Sequence, residues 1–119
     1  MFLQLNHQQL DVYKSSLEFV IECYKLTNLF PAEEKYSMTS QIRRAALSVH
    51  LNIAEGSSRR SGIERKRFYE ISRGSIIEVD AAFDIADRFS YLKNIDLTLA
   101  GEKTIKCFKL LCGLIKASV

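Results

Sequence analysis

One proline, five glycines and no tryptophan in 119 residues leave this chain short of turn-forming residues. A fold of many short strands needs frequent turns, so the shortage favours long helices over a sandwich or barrel. Equally absent is any apolar run approaching the roughly 20 residues that cross a bilayer. The opening Met1-Phe2-Leu3-Gln4-Leu5-Asn6 has neither the basic start nor the long apolar segment of a signal peptide. Together these absences give the expectation of a cytoplasmic chain with no membrane partner. The three cysteines, Cys23, Cys107 and Cys112, are odd in number and lie in helical patterns, which reads as reduced, buried thiols. His7 and His50 are the only histidines, both far from any cysteine in sequence, and no Glu-x-x-His pair occurs. Neither a di-iron nor a zinc site is expected, and no cofactor. There is no Gly-rich phosphate loop, no Gly-x-Ser-x-Gly elbow and no nucleophile with a base beside it. The sequence reads as that of a protein that is not an enzyme.

What is present is helical periodicity over nearly the whole length, in a chain sized for a single domain, 1–119, that is 47% hydrophobic and 26% charged. Four amphipathic segments follow one another. The first, about Gln8 to Leu29, carries Leu10, Tyr13, Leu17, Val20, Ile21 and Tyr24 on one face and Val12, Phe19, Cys23 and Leu26 on another. Asn28-Leu29-Phe30-Pro31 ends it, because proline disfavours a helical residue before it and donates no amide bond. The second begins after about Ser37 and ends at Gly56, read as a C-cap glycine. Its core face is Met38, Ile42, Ala45, Ala46, Val49 and Ile53, and Leu47, Leu51 and Ala54 make a separate apolar strip. A helix apolar on two sides has two partners. The outer strips, Val12, Phe19 and Leu26 on the first helix and Leu47 and Leu51 on the second, are therefore the expected oligomer interface.

Ser61-Gly62-Ile63-Glu64 has capping-box spacing and starts a third helix. Phe68, Ile71, Ser72, Ser75, Ile76, Val79, Ala82, Phe83, Ala86 and Phe89 supply its core face, and it ends near Ser90 or Tyr91. Gly74 in its middle costs roughly 1 kcal/mol relative to alanine, which points to close approach of another helix. Asp80, Asp84 and Asp87 read as a solvated face. Asp96 is the expected N-cap of a fourth helix, with Leu97, Ala100, Ile105, Phe108, Leu111, Cys112 and Ile115 inward. Four such segments with short links and no strand-like alternation give an all-α, antiparallel up-down four-helix bundle.

Charge is unevenly placed. Between Arg43 and Arg73 stand eight basic residues against three acidic ones, whereas the rest of the chain has nine basic and eleven acidic. Arg65, Lys66 and Arg67 occupy the first turns of the third helix, where the macrodipole prefers acids. With Arg59 and Arg60 they surround a helix N-terminus with cations, an arrangement suited to phosphate oxygens. The candidate nucleic-acid-binding set is Arg43, Arg44, Arg59, Arg60, Arg65, Lys66, Arg67 and Arg73; its alternative is a solvated surface with Lys66 paired to Glu70. A polar line on the second helix, Arg44, Asn52 and Glu55, is read as a structural network reaching Ser75 and Glu78 on the third. Its alternative is the lining of a ligand site.

Tyr24-Lys25-Leu26-Thr27, Phe30-Pro31, Thr39 through Val49, Asn52-Ile53-Ala54-Glu55-Gly56 and Gly74-Ser75-Ile76-x-Glu78 resemble the bacterial 23S rRNA intervening-sequence protein family. These are four-helix-bundle proteins related to the accessory variability determinant of diversity-generating retroelements. The resemblance implies a ring-shaped homopentamer whose basic surface is proposed to bind nucleic acid, RNA or DNA. It equally allows a scaffold whose ring grips an acidic protein partner such as a reverse transcriptase. His50-Leu51 stand where relatives often carry Pro-Ser or Pro-Ala, so the second helix is expected to be straighter here.

Overall fold

The computed structural model describes residues 2, 3 and 5–118; Met1 and Gln4, part of the N-terminal stretch read for a leader, and Val119 lie outside the described residues. Four long helices carry the fold: α1 (Asp11–Thr27), α2 (Met38–Ser57), α3 (Gly62–Arg88) and α4 (Thr98–Ala117). Short 3-10 turns at Asn6–Gln9 and Ala32–Glu34 precede α1 and α2. Neighbouring helices pack α1 to α2, α2 to α3, α3 to α4 and α4 back to α1, which sets α1 and α3, and α2 and α4, on the diagonals. Every adjacent pair is antiparallel. Ser16 meets His50 while Thr27 meets Arg43; Ser57 meets Tyr69 while Gln41 meets Glu78; and Arg73 reaches Cys112. Glu18 on α1 pairs with Lys103 on α4. The bundle measures 44 × 28 × 25 Å, its long dimension set by α3.

The core is built from Val12, Phe19, Cys23 and Leu26 of α1, Ile42, Ala46, Val49 and Ile53 of α2, Ile76, Val79 and Ala86 of α3, and Cys107, Leu111 and Ile115 of α4. This reverses the expected faces of α1. Val12, Phe19 and Leu26, expected on an oligomer interface, are buried within the monomer, while Leu10, Leu17 and Ile21 stand exposed. Both strips have helical spacing, and only the docking of α2 and α4 on α1 decides which turns inward. Smaller reversals occur at Ile71 of α3, Phe89 just after it, Leu97 just before α4 and Ile105 within it, all expected inside and found exposed. Leu47 and Leu51 are exposed, as the second strip on α2 required.

Helix ends follow local chemistry. Ser61 Oγ accepts the Glu64 amide at 3.4 Å and starts α3. Asp96, expected as the N-cap of α4, stands one residue before it: Leu97 holds the N-cap position, and Asp96 Oδ1 accepts the Thr98 amide at 2.9 Å, a bond that holds the Asp96 carboxyl below the usual carboxylate range. Gly56 does not act as a C-cap: α2 continues through it to Ser57 and no glycine has positive φ. Its role is closeness, because a Cβ there would lie 2.8 Å from the Phe68 Cβ. Gly74 is the opposite case, since a Cβ there would meet nothing within 4 Å. The close approach expected at Gly74 is not made within its own chain.

Candidate nucleic-acid interface

The eight basic residues singled out from the sequence fall into three places. Arg43 is structural. Its Nε donates to Thr27 Oγ1 at 2.9 Å, its Nη2 donates to Asn28 Oδ1 at 2.8 Å, and its guanidinium lies 4.6 Å from the Tyr24 ring centroid. These contacts pin the start of α2 to the C-terminal end of α1, where a cation complements the helix dipole. Arg44 is exposed on the same half of the bundle, beside Gln41, Ala82 and Ile85. The rest of α2, from Arg44 to its end at Ser57 and about 20 Å of rise, separates this pair from Arg59.

The second place is the α2–α3 turn, which gathers Arg59, Arg60, Arg65, Lys66 and Arg67. Arg65 builds the turn from inside, its Nη1 donating to the carbonyls of Arg59 at 3.0 Å and Arg60 at 2.7 Å. Those carbonyls follow the last turn of α2 and would otherwise have only water. Arg59 packs its guanidinium 5.0 Å from the Phe68 ring centroid and pairs with Glu55 at 3.2 Å. Arg60, Lys66 and Arg67 make no ion pair among the described residues, and the Lys66 to Glu70 pairing expected along α3 is not formed. Arg60 and Arg67 are exposed and Lys66 half-buried around the N-terminus of α3, without an ion-pair partner among the described residues, on a turn whose backbone Arg65 fixes. Arg73, the third place, is half-buried in the α3–α4 seam, its Nη1 3.9 Å from Cys112 Sγ.

The expected polar network is divided. Asn52 Nδ2 donates to the Ser48 carbonyl at 2.8 Å and to Ser48 Oγ at 3.0 Å within α2, and Ser75 Oγ donates to Ser48 Oγ at 3.1 Å, so Ser75 links α3 to α2 while Asn52 only orients Ser48. Ser48 is the hub that sequence reasoning placed on the polar line without assigning it the role. Glu78 accepts from Gln41 instead, Glu55 belongs to Arg59, and Arg44 makes no hydrogen bond here among the described residues. Ser72 adds a second link, its Oγ donating to the Val49 carbonyl at 2.7 Å.

A contact invisible in the sequence joins Ser16 Oγ and His50 Nδ1 at 2.7 Å. It resembles a nucleophile and its base, but Ser16 has no exposed surface and also donates to the Tyr13 carbonyl at 2.9 Å, so its oxygen cannot reach a substrate. Burial and the neighbouring His7 hold the His50 pKa below its ordinary value. An apolar groove of about 250 Å³ between α1, α3 and α4 is lined by Cys23, Leu26, Phe83 and Leu92, with Glu22 and Asp80 its only charged walls. It lies on the half of the bundle away from the α2–α3 turn. Burial pushes the Cys23 and Cys107 thiols up to about 12. No three potential metal ligands gather among the described residues, and no helix there is long and apolar enough to cross a membrane.

Comparison with known proteins agrees with this architecture. The sequence profile of the 23S rRNA-intervening sequence protein family matches residues 8–113. A search of curated proteins finds no match. Among solved structures, a protein of unknown function from the S23 ribosomal protein family of Bacteroides thetaiotaomicron superposes with a TM-score of 0.78 at 24% identity. That alignment covers 88% of this chain and 95% of the other. At such identity the likeness carries the fold alone.

Proposed function

The chain belongs to the 23S rRNA-intervening sequence protein family, and from that premise we propose that it is a non-enzymatic, oligomeric protein of the bacterial cytoplasm that holds the phosphate backbone of a nucleic acid against the α2–α3 end of its bundle. The observation that carries this reading is the group Arg60, Lys66 and Arg67, unpaired around the N-terminus of α3 on a turn braced by Arg65. Of the carboxylates near the turn, Glu55 is taken by Arg59, while Glu64 in the first turn of α3 and Glu70 further along it pair with none of these three cations. Cations at a helix N-terminus are unfavourable on their own and become favourable when a polyanion lies over them. Arg59 joins the surface as a weaker member, while Arg43 and Arg73 belong to the seams of the bundle and Arg44 to its other half.

The nucleic acid is read by charge and not by base. No aromatic side chain projects among the free cations: Phe68 is covered by Arg59 and Tyr69 is buried with its hydroxyl 3.0 Å from Ser57 Oγ. Binding through phosphates alone is weak per site and steeply salt-dependent. Repetition in an oligomer, a pentamer by family resemblance, supplies avidity. The exposed leucines of α1 and α2 support the oligomeric part.

Fluorescence anisotropy of labelled structured RNA and duplex DNA across a salt titration tests the reading. The native protein is expected to bind with a steep salt dependence, and the Arg60→Glu/Lys66→Glu/Arg67→Glu variant to lose binding while keeping its helical circular dichroism. Native protein that fails to bind either polymer at low salt overturns it. Binding to an acidic protein that unrelated RNA does not displace would favour the scaffold reading instead.

A further inference from the structure

Two apolar grooves adjoin along the seam between α3 and α4. The first, of about 250 Å³, has Leu26, Phe83 and Leu97 among its walls, and the second, of about 280 Å³, has Ile76, Ile77 and Phe108. Asp80, Thr104 and Ile105 line both and so mark their junction. We propose that the first groove binds a small primary amine with an apolar chain, its ammonium held at the junction by Asp80 and Thr104 and its chain lying against Leu26, Phe83 and Leu97. This goes beyond the nucleic-acid reading and uses none of the residues of the α2–α3 turn.

The polar groups at the junction select this ligand. Thr104 Oγ1 donates its only proton to the Ala100 carbonyl at 2.7 Å, so what it has left for a ligand is lone pairs. Asp80 is exposed and makes no ion pair among the described residues. A carboxylate only accepts, so both groups require an N–H donor and Asp80 favours a positive one. Glu22, the other acidic wall of the first groove, is already paired with Lys25 at 3.2 Å, which leaves Asp80 as the anchor. Lys109, the one cation lining either groove, stands in the second, so the chain of a cationic ligand lies in the first. Space points the same way. A groove of about 250 Å³ falls below the roughly 300–1,000 Å³ of sites for drug-sized ligands, which suits a single short chain. Gly101 lines it from within α4, at a cost of roughly 1 kcal/mol relative to alanine, yet a Cβ there would meet nothing within 4 Å. Packing within the chain does not require this glycine, and a larger side chain would occupy the groove.

Titration of the full chain with octylammonium chloride, followed through backbone amide chemical shifts, tests the assignment, with sodium octanoate as the control of equal length and opposite charge. Octylammonium is expected to shift the amides of Asp80, Gly101 and Thr104 saturably and to bind there at least about tenfold more tightly than octanoate. Asp80→Asn should weaken octylammonium by about threefold or more and narrow its advantage over octanoate. Gly101→Leu fills the groove from a position with open space and introduces a better helix former, so helical circular dichroism should be kept while the saturable shifts disappear. Octanoate that binds these amides as tightly as octylammonium overturns the proposal. So does octylammonium binding that is indifferent to Asp80→Asn and Gly101→Leu. Shifts of the same amides that follow protein concentration with no amine present would give the groove to a second copy of the chain and overturn it likewise.

Discussion

Two glycines of the same sequence type have opposite physical meanings. At Gly56 a methyl group would press on the Phe68 Cβ at 2.8 Å and on Tyr69 Cε1 at 3.1 Å, and the Phe68 Cβ cannot swing aside without moving α3. Gly56→Ala should therefore destabilise the fold by about 1–2 kcal/mol, overpacking outweighing the gain in helix propensity. Gly74→Ala should stabilise the isolated protomer by roughly 0.5–1 kcal/mol, since the added group meets nothing. Urea denaturation of both variants, with assembly suppressed by dilution, reads the two signs. His50 carries a different kind of residue-scale consequence. Its pKa is lowered by burial first and by His7 second, so the unfolded chain takes up a proton at a pH where the folded chain still refuses it. The His50 contribution is thus fully present above the ordinary histidine pKa and is lost as pH falls through the lowered folded value. Stability should decline from neutral pH toward pH 5, and His50→Gln should flatten that decline. An unchanged pH profile in the variant would show that another group governs it.

At the level of elements, the end of α3 stores strain that a single substitution relieves. The Ser90 amide bonds the Asp87 carbonyl at 2.9 Å and the Tyr91 amide bonds the Ala86 carbonyl at 3.0 Å, a Schellman ending that places Ser90 at φ 65°. A serine there bears a cost that glycine avoids. Ser90→Gly should raise stability by about 1 kcal/mol, seen as a higher urea midpoint at unchanged slope. The position was missed in the sequence because no glycine or asparagine marked it, and α3 was expected to run two or three residues further. Elsewhere the elements were legible: the Ser61 cap, the Phe30-Pro31 stop and the 3.6-residue periodicity gave four helices in the right order. Periodicity could not say which apolar strip of α1 faces the core. Leu10, Leu17 and Ile21 are as hydrophobic as Val12, Phe19 and Leu26, and inward direction is a property of the neighbours α2 and α4. The same ambiguity misplaced Ile71 and Ile105.

For the whole molecule the sequence showed an excess of cations between Arg43 and Arg73 but not that folding would divide it. Antiparallel packing sends the start of α2 and the α2–α3 turn to opposite ends of a 44 Å bundle, so nearness in sequence became separation in space. Hydrogen-bond partners did the rest, since Thr27 and Asn28 claim Arg43, and the carbonyls of Arg59 and Arg60 claim Arg65. None of these partners could be assigned before the helices were docked. The division makes charges of equal sign act on different quantities. Neutralising Arg60, Lys66 and Arg67 to glutamine should leave the stability of the fold nearly unchanged, because none has an ion-pair partner to lose among the described residues. The same change should flatten the plot of log affinity for duplex DNA against log salt by about 2–3 for each subunit engaged. Arg43→Gln should do the reverse. It removes a charge held by two hydrogen bonds and an aromatic face, at a cost of about 1–3 kcal/mol of stability, and it leaves the salt slope where it was. Denaturation and salt titration on the two variants together separate the cations that hold the bundle from those proposed to hold a nucleic acid. A salt slope that moves with Arg43 and not with the turn would place the phosphate-binding surface at the other end of the molecule.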